Sequence, residues 1–287
     1  MPEKPSIAAE YSKEQVQLVT ATCLYVATIL GDYMEQAVIV GGLVPSLLID
    51  QKNLPDGADH HAGTMDLDMG LTLAIFDNKR YQAITDRLRS AKFSPDVNEQ
   101  GNLTRQRWKI EKAGKVTIDF LVPPSSDDDM GGSIKDIEQD FAAVITPGLE
   151  LAFKDKIKIT LEGYTIFGEK AKRDVYICGP GAFVVLKTLA FRKRGEPKDA
   201  YDLYYHIRNY GSGIEDIVNA LKPLLEDKKT KEALKILRED FLSNDSVGAI
   251  RVARFLLDGT DETIQADVAG FVNSLLDLIT SIENGPI

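Results

Sequence analysis

A mixed α/β fold with a helical C-terminal part is what this sequence predicts, and three observations carry the prediction. Short apolar runs of strand character recur up to residue 178, among them Ala37–Val40, the run that begins at Met65, and residues 115–122. Amphipathic helical patterns are interleaved with them, over residues 13–30 and 78–90. Beyond Gly179-Pro180-Gly181 the strand patterning stops and helical spacing continues to the end. The change divides the chain into residues 1–179, a mixed β-sheet flanked by helices, and residues 180–287, an all-helical domain.

Composition bounds the function classes. The 287 residues are 44% hydrophobic and 27% charged, enough apolar content for a core in a globular protein. The two cysteines, Cys23 and Cys178, lie far apart. They exclude a disulfide framework and a paired-cysteine zinc site, and they suit a reducing, cytoplasmic setting. No leader pattern opens the chain, and no apolar run approaches the ~20 residues needed to span a bilayer. The longest, around residues 182–191, is interrupted by Lys187, so no membrane partner is expected. A net charge of −10 argues against a protein that coats nucleic acid. The basic residues are unevenly placed, with Arg87, Arg89, Lys92, Arg105, Arg107 and Lys109 in one stretch and Arg192, Lys193 and Arg194 in another. The C-terminal third is more acidic, which points to an anionic ligand in the middle of the chain.

In order along the chain, residues 1–10 read as a loose tail. Ser12 suits an N-cap for a helix over residues 13–30, with Val16, Val19, Cys23 and Val26 at helical spacing, and Gly31 stops it. The strand Ala37–Val40 leads into Gly41-Gly42, and Pro45 fits the first turn of a helix continuing through Ser46, Leu47 and Leu48. Strand, paired glycines and helix start can cradle a phosphate, because glycines let backbone N–H groups approach an anion. The same pattern also serves as a plain tight turn. Residues 50–64 read as a loop, with Pro55-Asp56-Gly57 as its turn and His60-His61 near its end. Those histidines suit either a metal or, more commonly, inert exposure to solvent.

The central stretch is Gly63-Thr64-Met65-Asp66-Leu67-Asp68-Met69-Gly70, on a strand over residues 65–75. Residues two apart share a face, so Asp66 and Asp68 point one way and Met65, Leu67 and Met69 the other. Two carboxylates about 7 Å apart along a strand repel unless a cation or proton lies between them. A hard divalent cation fits such oxygens; a solvated strand end is the plainer alternative. A helix over residues 78–90 follows, with Tyr81, Ile84 and Leu88 on one face.

Residues 105–110 and 115–122 form a hairpin around Ala113-Gly114. In its second strand Val116, Ile118 and Phe120 share one face, and Thr117, Asp119 and Leu121 the other. Asp119, set among apolar strand residues, needs a partner if buried. A metal shared with Asp66 and Asp68 would supply one, as would an Arg or Lys ion pair. Residues 125–132 read as a solvated linker without the spacing of a calcium loop. Residues 148–178 carry strand patterning. A helix over residues 182–194 closes on Gly195, and the next opens at Glu196-Pro197-Lys198-Asp199. Asp199 and Asp202 lie on one face of that helix. Lys187, the one charge in an apolar stretch, either snorkels to solvent or reaches an anion. Tyr201, Leu203, Tyr204 and Ile207 read as helical core.

In this order, Val40-Gly41-Gly42, Asp66-Leu67-Asp68 and Asp119 resemble the polymerase-β-type nucleotidyltransferase superfamily over residues 36–122. Residues 187–192, with Lys198-Asp199 and Asp202-Leu203, resemble the later motifs of AbiEii-type nucleotidyltransferases, the toxins of type IV toxin–antitoxin systems. The gap from Gly42 to Asp66 is longer than usual in that superfamily, which marks the His60-His61 loop as an insertion. The resemblance implies transfer of an NMP group from an NTP to a hydroxyl acceptor on tRNA or a protein, with a small-molecule acceptor also open and a cognate antitoxin as partner. It implies Mg²⁺ or Mn²⁺ held by Asp66, Asp68 and Asp119, with Asp119 also helping to activate the hydroxyl. It further implies nucleotide contacts from Gly41, Gly42, Ser46, Thr64, Lys187, Lys198, Asp199 and Asp202. A silent nucleotidyltransferase fold that only binds nucleotide or protein is the alternative, and a metal-dependent phosphatase or nuclease would need similar carboxylates.

Overall fold

The computed structural model describes residues 5–54, 58–72, 78–114 and 116–283. The expected Pro55-Asp56-Gly57 turn, the far end of the strand expected over 65–75, the start of the tail and Lys115 lie outside the described residues. In chain order the helices and strands begin α1 (Lys13–Leu30), β1 (Ala37–Val40), α2 (Val44–Leu48), β2 (Asp66–Leu71), α3 (Asn78–Ser90), β3 (Ser94–Val97), β4 (Leu103–Lys109) and β5 (Thr117–Val122). They continue with β6 (Ile134–Glu138), β7 (Phe141–Ile145), α4 (Leu149–Lys154), β8 (Lys156–Tyr164) and β9 (Lys170–Cys178). Among the described residues the helices that follow are α5 (Pro180–Arg194), α6 (Pro197–Asn209), α7 (Ile214–Leu221), α8 (Lys228–Asp240), α9 (Val247–Leu257) and α10 (Glu262–Glu283). The fold is mixed α/β, a mixed sheet flanked by helices with a helical C-terminal part.

Two compact units form. One comprises Lys13–Leu43 and Gly63–Cys178; the other comprises Pro5–Ser12, Val44–Ala62 and the chain from Gly179 onward. In the first unit the strand order is β3-β4-β5-β2-β1-β9-β8, with β7 pairing the end of β5 and β6 pairing β7. The β2–β5, β1–β9 and β5–β7 pairs are parallel and the others antiparallel. Alternation decides which side chains go inward: Leu67 and Met69 of β2 and Ile118 and Phe120 of β5 are fully buried. Trp108 and Phe120 both pack on Phe141, with ring centroids 5.9 and 4.8 Å apart. Each such buried aromatic contributes about 1.5–3 kcal/mol by leaving water.

Several expectations need correction. The residues from 148 to 178 open with helix α4 before the β8–β9 hairpin. Strands β3, β6 and β7 do not alternate clearly: Ser-Pro-Asp-Val in β3 and Ile-Lys-Asp-Ile-Glu in β6 are more polar than a strand template, and Phe-Ala-Ala-Val-Ile in β7 is a continuous apolar run. The stretch Lys13–Gln36 is long and apolar enough, by length and composition, to cross a bilayer. The run around residues 182–191 is thus not the longest apolar candidate. Within the first unit, the Val19, Cys23, Val26 and Leu30 stripe of α1 is buried, with α1 packing on β8, β9 and α3.

In the second unit, α5 starts with Pro180 in its first turn and ends at Gly195, whose φ of 66° lets its N–H bond Phe191 O at 2.7 Å. Helix α6 packs on α5 and α9. A cluster of Ile49, Tyr201, Tyr205 and Phe255 also takes in Ala8, Tyr11, Leu54 and Ala62. This explains why residues 5–12, 44–54 and 58–62 fold with the helices: Ala8, Tyr11, Ile49, Leu54 and Ala62 pack on Tyr201 and Tyr205 of α6 and Phe255 of α9. The tail expected to be loose therefore carries a short turn, Ala8–Glu10, with Ala8 and Tyr11 packed.

Candidate active site

The first unit gathers the aspartates. In the parallel β2–β5 pair, Asp68 stands opposite Asp119 and Asp66 opposite Thr117. With Leu67 and Met69 buried on one side of β2, and Ile118 and Phe120 on one side of β5, all three aspartates are left half-buried on the alternate positions. Thr117 Oγ1 donates to Asp66 Oδ1 at 2.9 Å, which fixes that carboxylate. Thr64 sits just before the strand, where Asp66 N–H donates to its hydroxyl at 3.4 Å; the residue shapes the strand entry.

Gly41 follows β1, whose Val40 pairs with Asp68. Its φ is +73°, and a Cβ there would lie 1.9 Å from Asp68 Oδ2. Only glycine admits both this backbone conformation and this approach. Gly41-Gly42 opens a short 3-10 turn, Gly41–Leu43, so the paired glycines bring main chain against a carboxylate of the aspartate face.

Asp119 does not stand alone. Arg107 of β4 is its antiparallel partner, and the guanidinium grips both carboxylate oxygens, Nε to Oδ1 at 2.6 Å and Nη2 to Oδ2 at 2.5 Å. The Asp119 hydrogen bonds, with the charges of Asp119, Asp66 and Asp68, hold the Arg107 pKa above the ordinary arginine range against the opposing effect of burial. The three aspartates offer hard oxygen donors in neighbouring register, which suits a divalent cation. Among the described residues no three His, Cys, Asp or Glu side chains gather as a group that could hold a metal ion. The three aspartates therefore match a hard divalent cation in donor type and strand register alone: they do not converge as a metal-holding group, and Arg107 stands on the third carboxylate.

The other expected residues form a separate network inside the second unit. Lys187 Nζ donates to Asp199 Oδ1 at 3.0 Å and Asp202 Oδ2 at 2.7 Å. Lys198 Nζ donates to Asp202 Oδ1 at 2.6 Å, and Arg194 forks onto Asp199 at 2.7–3.0 Å. Lys187 therefore reaches anions rather than snorkelling, and its anions are the protein's own. Burial disfavours its charge, yet Asp202 and Asp199 outweigh burial and keep its pKa above the usual lysine range. Burial likewise works to raise the Asp202 pKa, and Lys187, Lys198 and His61 together pull it well below the usual carboxylate range. For Lys198 burial wins, and its pKa falls.

His61 belongs to this network, which corrects its reading as an inert exposed histidine; His60 is exposed. His61 Nε2 lies 3.0 Å from Asp202 Oδ1 and Nδ1 lies 2.8 Å from Ser46 Oγ. With Asp202 ionised, Nε2 carries the proton and Nδ1 accepts from the Ser46 hydroxyl. Burial pushes the His61 pKa down to about 4, only partly opposed by Asp202. The chain on either side of it is tied on by Tyr201 Oη accepting from Ala62 N–H at 2.9 Å, and by Tyr205 Oη donating to Asp59 O at 3.1 Å. Ser46, expected at a nucleotide, hydrogen-bonds histidine.

Sequence reasoning missed two residues, Arg107 and His61. For Arg107 a signal existed: in a hairpin centred on Ala113, residue 107 falls opposite 119. For His61 there was none, since its partner lies far along the chain. No protein-family model matches the sequence, and no curated protein matches it.

Proposed function

We propose that this chain is a metal-dependent nucleotidyltransferase of the polymerase-β type, moving an NMP group from an NTP to a hydroxyl on tRNA or a protein. The observation that carries the reading is the register of Asp68 against Asp119 beside the Gly41 turn, three separated sequence motifs drawn onto one part of one sheet. Asp66 and Asp68 would hold the divalent cation, with Asp119 as the third carboxylate. When bound, that cation supplies neutralisation of charge on the phosphate oxygens during in-line displacement. Asp119 would orient the acceptor hydroxyl and take its proton. Thr117 keeps Asp66 oriented through its hydroxyl, and Gly41 leaves main chain close to Asp68. Lys187, Lys198, Asp199 and Asp202 are assigned no step, because their charges are spent on one another. A toxin role with a cognate antitoxin follows from the motif resemblance, and a cytoplasmic setting from the two widely spaced cysteines.

A second reading, a silent fold that binds nucleotide or protein, is favoured by one observation: Arg107 occupies both oxygens of Asp119. Incubation with α-labelled NTPs, Mg²⁺ and mixed tRNA or protein acceptors separates the two. The transferase reading expects label in an acceptor with wild type and at least a hundredfold less with Asp119→Asn, on the order expected for loss of a positioned base. Nucleotide binding with no transfer to any acceptor favours the silent fold.

A further inference from the structure

The Arg107–Asp119 pair is largely shielded, with side chains 18% and 15% exposed. Its two-armed geometry uses both carboxylate oxygens, the strongest arrangement open to an arginine. The guanidinium also feels Asp66 and Asp68, so one fixed monovalent cation answers three neighbouring carboxylates. Arginine cannot shed its charge to leave, so the only way to free Asp119 is to move the side chain.

We propose that Arg107 is a resident counter-cation of the aspartate face, holding Asp119 so that a divalent cation engages it only after the guanidinium lets go. The inference rests on the nucleotidyltransferase reading for the purpose of the metal, while its test needs no nucleotide. A metal arriving at Asp66 and Asp68 raises the positive charge facing Arg107, and the repulsion itself favours release. Metal loading is thereby coupled to one side chain on β4. Arg107 acts as a positioning residue through Asp119.

The test is titration of the full chain with Mn²⁺ alone, read by the electron paramagnetic resonance of free Mn²⁺. Arg107→Ala is expected to bind Mn²⁺ about tenfold more tightly than wild type, the equivalent of about 1.4 kcal/mol. Arg107→Lys, which keeps the charge but loses the second arm, gives a smaller gain in the same direction. The gain disappears in Arg107→Ala/Asp119→Asn. Unchanged or weaker Mn²⁺ binding by folded Arg107→Ala overturns the proposal; if that variant does not fold, the same result with Arg107→Lys does so. A Mn²⁺ gain without NTP binding keeps the counter-cation role and removes the transferase reading. Label transfer by wild type without a Mn²⁺ gain in the variants does the reverse.

Discussion

Asp68 and Asp119 stand opposite each other on the parallel strands β2 and β5, and Arg107 stands opposite Asp119 on antiparallel β4. Three adjacent strands thus present acid, acid and base at one level of the sheet. Thr117, one pleat from Asp119, fastens Asp66 to the same set. The chemistry proposed for the chain depends on this alignment, and so do the consequences of altering it.

Gly41→Ala tests the approach of main chain to Asp68. Gly101 provides the comparison, since its φ is +81° but a Cβ there would meet nothing within 4 Å. Gly101→Ala is expected to cost about 1–2 kcal/mol from the left-handed backbone alone. Gly41→Ala adds a clash 1.9 Å from Asp68 Oδ2 and is expected to cost about 2–4 kcal/mol. Urea denaturation of both variants measures the difference; equal losses would show that Asp68 does not press on Gly41.

Lys187→Met removes the cation shared by Asp199 and Asp202, whose side chains are 4% and 0% exposed. Leaving buried carboxylates short of a partner is expected to cost about 3–5 kcal/mol. Lys187→Met/Asp202→Leu is expected to recover part of that loss, as the charge and its counter-charge leave together. A single variant as stable as wild type in guanidinium titration would show that the network does not depend on Lys187.

Acidification tests His61. Its folded pKa of about 4 lies below its ordinary value of 6.5, so the unfolded chain binds the extra proton first as pH falls. The stability associated with the neutral ring is present above pH 6.5 and is lost as pH falls from there toward 4, by about 3 kcal/mol over the window. His61→Gln is expected to flatten that part of the Tm-against-pH curve. An unchanged slope between pH 6.5 and 4 would contradict the buried neutral ring.

Ser46→Ala isolates the hydroxyl on His61 Nδ1, a 2.8 Å contact. Loss of that donor is expected to cost about 1 kcal/mol. In ¹⁵N spectra the Nδ1 resonance should move while Nε2 stays with Asp202. A Tm unchanged together with both ring resonances would remove Ser46 from the network.

Local features of the fold were legible. Period-two alternation placed Leu67 and Met69 inward and left Asp66 and Asp68 together on the other side, and Gly31 and Gly195 marked helix ends by backbone freedom alone. The hairpin centred near Ala113 even contained the Arg107–Asp119 pairing, had its register been counted through. The long-range pairings were not legible. The parallel match of Asp68 with Asp119 joins strands with β3 and β4 between them in sequence, and no local rule fixes a parallel register. His61 and Asp202 are 141 residues apart, and the packing of Tyr201 and Tyr205 that brings them together is a property of the folded helices. For Lys187 the sequence leaves snorkelling and an anion both open, and only the geometry of α5 against α6 shows that it reaches Asp199 and Asp202.

The central claim is that Asp66 and Asp68 hold a divalent cation through which an NTP is bound. Isothermal titration of each NTP with Mg²⁺, on wild type and on Asp66→Asn/Asp68→Asn, tests it most directly. The account predicts Mg²⁺-dependent binding of at least one NTP to wild type and its loss in the double variant. No binding of any NTP to folded wild type, or undiminished binding to the folded double variant, would contradict it.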